Sequence, residues 1–151
     1  MLGARPGEGD YPPGDDLFLL PYGSYATIFP RAAAVVHQGG IGTTAQVLRA
    51  GVPMLVVPFG VDQPDNGARA VRLGVGRTLR RGSYRHRRVA RELRLLLDGD
   101  AYAARARAVA AAVQEECGAE HACDALLAVL ARFPDSDRAT NKAPGALHLV
   151  P

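Results

Sequence analysis

No uninterrupted apolar stretch in this chain approaches the ~18 residues a membrane-crossing helix needs. Its first residues also lack the basic start and apolar run of a secretory signal. Both absences predict a cytoplasmic protein. Cysteine is scarce: Cys117 and Cys123 are the only two, they follow no CxxC or His-rich spacing, and they fall in an Ala-rich helical stretch. That pattern predicts reduced packing residues and argues against a disulfide framework or a structural zinc site. There is no acidic cluster of the kind that holds a divalent cation, and there is no internal repeat. Lysine is nearly missing too, since all but Lys142 of the 18 basic residues are Arg. A net charge of +3 and a pI near 9.2 permit binding to anions without calling for nucleic acid. The run Arg80, Arg81, Arg85, Arg87, Arg88, Arg91 and Arg94 has little aromatic interleaving beyond Tyr84, so it reads as a solvated helix face.

What is present is enough for a core. The 151 residues are 48% hydrophobic and 22% charged, the size and composition of one globular domain. Residues 1–16, rich in Gly, Pro and acidic side chains, read as a flexible leader, and 134–151 read as a disordered tail. Between them, residues 17–133 carry short apolar runs alternating with helical patterns. Strands are expected at Leu17–Leu20, Ala32–Val36 and Met54–Val57, with a weaker one at Arg77–Leu79. Helices are expected at Thr43–Ala50, with Ala45 and Leu48 inward and Gly51 as the stop, and at Pro64–Leu73, with Gly74 just beyond it. Strand and helix in alternation predict an α/β fold, a parallel sheet with right-handed crossovers. The remainder is helical: Val89, Leu93, Leu96 and Leu97 mark one inner face, Tyr102, Val109 and Val113 a second, and Leu126, Val129, Leu130 and Phe133 a third.

Chemistry concentrates between Val35 and Asn66. A strand ending in His37-Gln38-Gly39-Gly40-Ile41-Gly42-Thr43-Thr44 and opening a helix leaves backbone N–H groups without intrahelical partners. The helix dipole adds roughly half a positive charge there, and the glycines admit close approach of a ligand, so the turn is suited to phosphate. His37 can add a ring N–H or a full charge, and Thr43 and Thr44 can add hydroxyls. Asp62 and Gln63 follow the next strand, emerge on the same sheet edge, and can hydrogen-bond sugar hydroxyls or cap the next helix. Asn66 sits where it can brace the loop. A rival reading is a dinucleotide fold, because Gly40-x-Gly42-x-x-Ala45 fits the G-x-G-x-x-G/A fingerprint with Asp62 downstream. Against it, that acidic residue belongs at the very end of the second strand, and Pro58-Phe59-Gly60-Val61 intervene.

Three segments, HQGGIGTT from His37 to Thr44, Gly51-Val52-Pro53, and PFGVDQPDN from Pro58 to Asn66, closely resemble the nucleotide-sugar donor motif of the GT-B glycosyltransferases, the UDP-glycosyltransferase superfamily. Bacterial enzymes that glycosylate natural products and sterol glucosyltransferases are the nearest in look, and Ile28–Ala34 is similar to that group as well. The resemblance implies a partial Rossmann-like sheet flanked by helices, the C-terminal half of a GT-B fold. It implies that His37, Gly39, Gly40, Gly42 and Thr43 hold the donor pyrophosphate, that Gln46, where many relatives have Glu, meets the ribose, and that Asp62 and Gln63 hold the sugar. Gly67 stands where Ala is usual, which should weaken that helix slightly. The family's acceptor half and catalytic base would precede this segment and are not recognisable here. The expected function is transfer of a hexose from a nucleoside diphosphate sugar, UDP-glucose first among candidates, to a hydroxyl of a small lipophilic acceptor. No metal or cofactor is implied. The alternatives are a non-catalytic nucleotide-sugar-binding subunit acting with a separate acceptor-domain polypeptide, a truncated fragment, or the NAD-binding domain above. Missing early strands would leave a sheet edge open to self-association.

Overall fold

The computed structural model describes residues 17, 18, 20 and 22–132. The predicted leader 1–16 and tail 134–151, and Phe133, lie outside the described residues. The chain divides into two compact units, the first ending at Glu115 and the second beginning at Glu116.

In the first unit, a short helix α1 (Tyr25–Ile28) runs into a single turn at Phe29–Arg31 and then into β1 (Val35–His37), α2 (Ile41–Ala50), β2 (Met54–Val56), α3 (Gln63–Arg72), β3 (Gly76–Thr78), α4 (His86–Leu97) and α5 (Ala101–Glu115). The strands form one parallel sheet in the order β1-β2-β3, with Val35, Met54 and Gly76 level with one another and His37, Val56 and Thr78 level at the far end. The α/β class and parallel topology agree with the sequence pattern. The strand expected at Leu17–Leu20 does not: Leu17, Phe18 and Leu20 are exposed and in no strand. Leu17, Phe18 and Leu20 have no neighbouring ladder among the described residues to bond their backbone to.

β2 is the central strand, and its alternation fills both faces. Met54 and Val56 join Val35, Val47, Ala70 and Val75 in the core on the side of α2 and α3, while Leu55 and Val57 pack with Leu79 and Leu96 on the side of α4. α2 starts two residues earlier than the pattern predicts; its buried positions are Thr44 and Val47, Leu48 packs half-buried against the core as expected, and Ala45 is exposed. Thr44 tolerates burial because its hydroxyl donates to the carbonyl of Gly40 at 2.9 Å. In α5 the buried residues are Ala106 and Ala110. Tyr102, Val109 and Val113, the expected inner face, are only half-buried, because small residues let α5 approach α2 at Gly51, where an added Cβ would lie 3.2 Å from that of Ala110.

A polar tie holds the middle of β3 to α4. Glu92 of α4, buried, accepts from Arg77 of β3 at 2.6 Å and from Arg91 at 2.8 Å, and Arg77 also donates to the Tyr102 hydroxyl at 3.1 Å. These contacts join β3, α4 and the start of α5 through the one guanidinium of Arg77.

The second unit contains α6 (Gly118–Leu130), which buries none of its residues. Leu126, Val129 and Leu130, read from the sequence as an inner face, are exposed. An apolar stripe on one helix is a demand for a partner that the helix cannot meet alone. Cys117 and Cys123 are likewise exposed and form no disulfide among the described residues, which corrects their reading as packing residues. No described helix is long and apolar enough to cross a membrane.

Candidate functional site

Because the strands are parallel, the loops after β1, β2 and β3 open on one edge of the sheet, where open α/β folds bind ligands. The first loop is the glycine turn. His37 is 9% exposed, and its Nδ1 accepts the backbone N–H of Gly39 at 3.1 Å. That bond fixes the tautomer: Nδ1 is an acceptor, so the neutral ring carries its proton on Nε2. Burial pushes the imidazole below its ordinary pKa, so the ring offers an N–H rather than the full positive charge that the sequence also allowed. Nε2 is buried and has no hydrogen-bond partner among the described residues. A buried donor left unmet marks a place where another group completes the bond.

Gly39 could be no other residue. Its φ is +93°, and a Cβ there would meet Val56 Cγ1 at 2.6 Å and the Gln63 carbonyl at 3.1 Å. The glycine turn therefore lies directly against the loop that follows β2. Gly40 is the N-cap of α2, in extended conformation and without a side-chain cap. The first helical bond is Thr44 N–H to the Gly40 carbonyl at 2.9 Å, which leaves the N–H groups of Ile41, Gly42 and Thr43 at the open end of the helix. Thr44 spends its hydroxyl on Gly40, whereas Thr43 is half-buried at the mouth of the turn.

The second loop brings Asp62 and Gln63 to the same edge. Asp62 occupies the N-cap position of α3 but makes no side-chain cap bond. Its Oδ2 instead accepts from Asn66 Nδ2 at 2.8 Å, and the same Asn66 nitrogen donates to the Gly39 carbonyl at 2.9 Å. Asn66 thus ties the glycine turn to Asp62, the brace its position suggested. Gln63 Oε1 accepts from the N–H groups of Phe59 and Gly60 at 2.8 and 3.3 Å. This folds the loop back on itself and leaves the Gln63 amide N–H groups as donors without a bond among the described residues. Val61, between them, has φ +58° and is 99% exposed. A β-branched residue at positive φ is strained, and the strain sits immediately before Asp62. β2 ends at Val56, so Asp62 is not at the strand end, as the dinucleotide reading would need.

The structure brings His37, Gly39, Gly40, Gly42, Thr43, Asp62 and Gln63 to one edge and places Gln46 elsewhere. Gln46 is exposed on α2 and lines a separate cleft of about 580 Å³ with Leu20, Tyr22 and the residues from Gly23 to Ala26. At the strand ends themselves lies a cleft of about 520 Å³ lined by Val36, His37, Gln38, Val57, Phe59, Arg81 and Tyr84. Phe59, Arg81 and Tyr84 escaped the sequence reading. Arg81 was counted with the basic run of α4, and no periodicity marks a residue in the turn after β3 as facing the end of β1.

The chain matches the family model described as erythromycin biosynthesis protein CIII-like, C-terminal domain, over residues 15–128. O-mycaminosyltylonolide 6-deoxyallosyltransferase of Streptomyces fradiae is 42% identical over 112 residues, which cover 74% of this chain and 26% of that protein. Sterol 3-beta-glucosyltransferase of Arabidopsis thaliana is 48% identical over 64 residues, 42% of this chain and 10% of that protein. Among solved structures, glycosyltransferase VinC in complex with DTDP superposes with a TM-score of 0.65 at 27% identity, over 71% of this chain and 27% of that one. The chain spans about a quarter of the length of the Streptomyces fradiae relative and less of the plant one.

Proposed function

The chain belongs to the erythromycin biosynthesis protein CIII-like C-terminal domain family of GT-B glycosyltransferases, and from that premise we propose that it holds the nucleoside diphosphate sugar from which a hexose is transferred. The observation that carries this reading is the unmet Nε2–H of His37 beside the uncapped end of α2. In this reading the N–H groups of Gly42 and Thr43 and the Thr43 hydroxyl take the diphosphate together with His37. Gly39 and Gly40 shape the turn, and Asp62 and the Gln63 amide take the sugar hydroxyls. Gln46 meets the ribose from its own cleft.

An acceptor hydroxyl, deprotonated by a base outside this chain, attacks the anomeric carbon, and the nucleoside diphosphate leaves. The charge gathering on that leaving group is met by the helix N-terminus and by His37, without a metal. Because His37 is neutral, its contribution is an oriented N–H rather than a counter-charge. The acceptor is a small lipophilic molecule, in keeping with the sterol and the tylonolide that the relatives' names carry.

UDP-glucose is the first candidate donor, in line with the glucosyltransferase among the relatives. A thymidine diphosphate sugar is the second, favoured by the DTDP with which VinC forms its complex. Calorimetry with UDP, dTDP and NAD separates these. One of the two pyrimidine diphosphates should bind and NAD should not; NAD binding without either diphosphate would overturn the reading. The isolated chain should bind donor without turnover, and turnover by the chain alone would contradict the base lying elsewhere. Restored activity on mixing with a separate acceptor-domain polypeptide would mark it as a subunit.

A further inference from the structure

The cleft at the strand ends contains a charge that the donor reading does not use. His37 and Gln38 reach it from the end of β1, Phe59 from the loop after β2, and Arg81 and Tyr84 from the turn after β3. Arg81 is the only formally charged side chain in this lining among the described residues. No carboxylate neutralises it there, and the described structure gives it no ion pair. Its guanidinium carbon instead lies 4.7 Å from the centre of the Phe59 ring, a cation–π contact that holds the flat group in place. Phe59 is itself anchored, because its backbone N–H donates to Gln63 Oε1 at 2.8 Å. The cation is thereby set at a fixed offset from the residue assigned to the sugar. His37 is part of the same lining, and its buried Nε2–H has no hydrogen-bond partner among the described residues. A cation in the lining and an unmet N–H on another residue of the same lining can both be met by one anion with several oxygens.

We propose that Arg81 is a diphosphate-binding residue: mounted on Phe59, its guanidinium supplies the positive charge to the phosphate that His37 Nε2–H also bonds. This rests on the donor reading above. It divides the work at the leaving group, since His37, held neutral by burial, gives direction and Arg81 gives charge. It also removes Arg81 from the solvated basic face of α4, where the sequence had placed it.

The test is calorimetry of the chain with dTDP and UDP, and with thymidine and uridine as phosphate-free controls. Arg81→Ala should weaken whichever diphosphate the wild type binds by about tenfold or more, leave nucleoside binding and Tm unchanged, and flatten the salt dependence of affinity. Arg81→Lys should retain part of the affinity as a point charge. Phe59→Ala should lose part of it and add nothing on top of Arg81→Ala, and His37→Ala combined with Arg81→Ala should be non-additive. Unchanged diphosphate affinity in Arg81→Ala would overturn the proposal while leaving the donor reading intact. An equal loss for nucleoside and diphosphate would assign Arg81 a merely structural role and overturn it too. A wild-type chain that binds neither diphosphate would overturn both.

Discussion

Asn66 shows how much of the site depends on one amide. Its Nδ2 satisfies the carbonyl of Gly39 and the carboxylate of Asp62, and the residue is 8% exposed. Removing it strands a buried carbonyl and frees both loops, so Asn66→Ala should lower stability by about 1 to 3 kcal/mol. It should also weaken diphosphate binding, although Asn66 need touch no ligand. A urea melt beside calorimetry checks this, and unchanged affinity in a destabilised variant would limit Asn66 to the fold. The sequence had suggested the bracing role from position alone. It could not show the partner, because Gly39 and Asn66 meet only once β1, β2 and α3 are assembled. Gly67 was read only in part for the same reason: the sequence shows a weakened helix position, but not that a Cβ there would come within 2.9 Å of Thr78 Cγ2 and 3.2 Å of Val56 Cγ1. What the missing methyl gives up in helix propensity it returns by letting α3 lie close on the sheet.

Among the elements, β2 and its neighbours were legible because continuous apolar runs bounded by Gly and Pro leave little alternative to buried parallel strands. The facing surface of α2 was not, because hydropathy ranks Ala45 above Thr44 while the fold buries the residue whose hydroxyl finds a carbonyl. The Arg77–Glu92–Arg91 tie was equally hidden, since no local pattern marks one arginine of a basic stretch as the partner of a buried acid. Its consequence is a pH dependence. Glu92 is held below the ordinary carboxylate range, first by its hydrogen bonds from Arg91 and then by those from Arg77. A depressed pKa contributes stability that is fully present above the unfolded value, ~4.3, and is lost as pH falls through the folded one. Arg91 is 68% exposed and Arg77 32% exposed, so solvent screens much of the pair's attraction. Glu92→Gln should accordingly cost about 1 to 2 kcal/mol at neutral pH. Thermal melts from pH 7 to 3 should show the wild type losing more Tm than the variant below ~4.3. Parallel losses would assign the acid sensitivity to other groups.

For the chain as a whole, the two edges of the sheet are not equivalent, and the difference predicts its behaviour in solution. β3 is a short Gly-Arg-Thr strand whose arginine is engaged by Glu92 and Tyr102, the kind of charged edge that discourages further pairing. β1 is Val-Val-His. Val35 donates to the Pro53 carbonyl and His37 accepts from Val57 N–H, so the bonds toward β2 use alternate residues, and the backbone groups of Val36, between them, point to the edge that is unpaired among the described residues. Val36 is 41% exposed, and upstream of it Phe18 is 83%, Tyr25 49% and Ile28 37% exposed. A parallel edge strand unpaired among the described residues, in a chain that also exposes large apolar groups, is a template for pairing with another copy. The isolated chain should therefore self-associate with rising concentration in light scattering or sedimentation velocity. Val36→Lys, which places a charge on that edge, should shift the equilibrium toward monomer. A wild-type chain that stays a monodisperse monomer across the concentration range would show that the β1 edge is not available for pairing, and the exposed residues upstream would be the first place to look for what shields it.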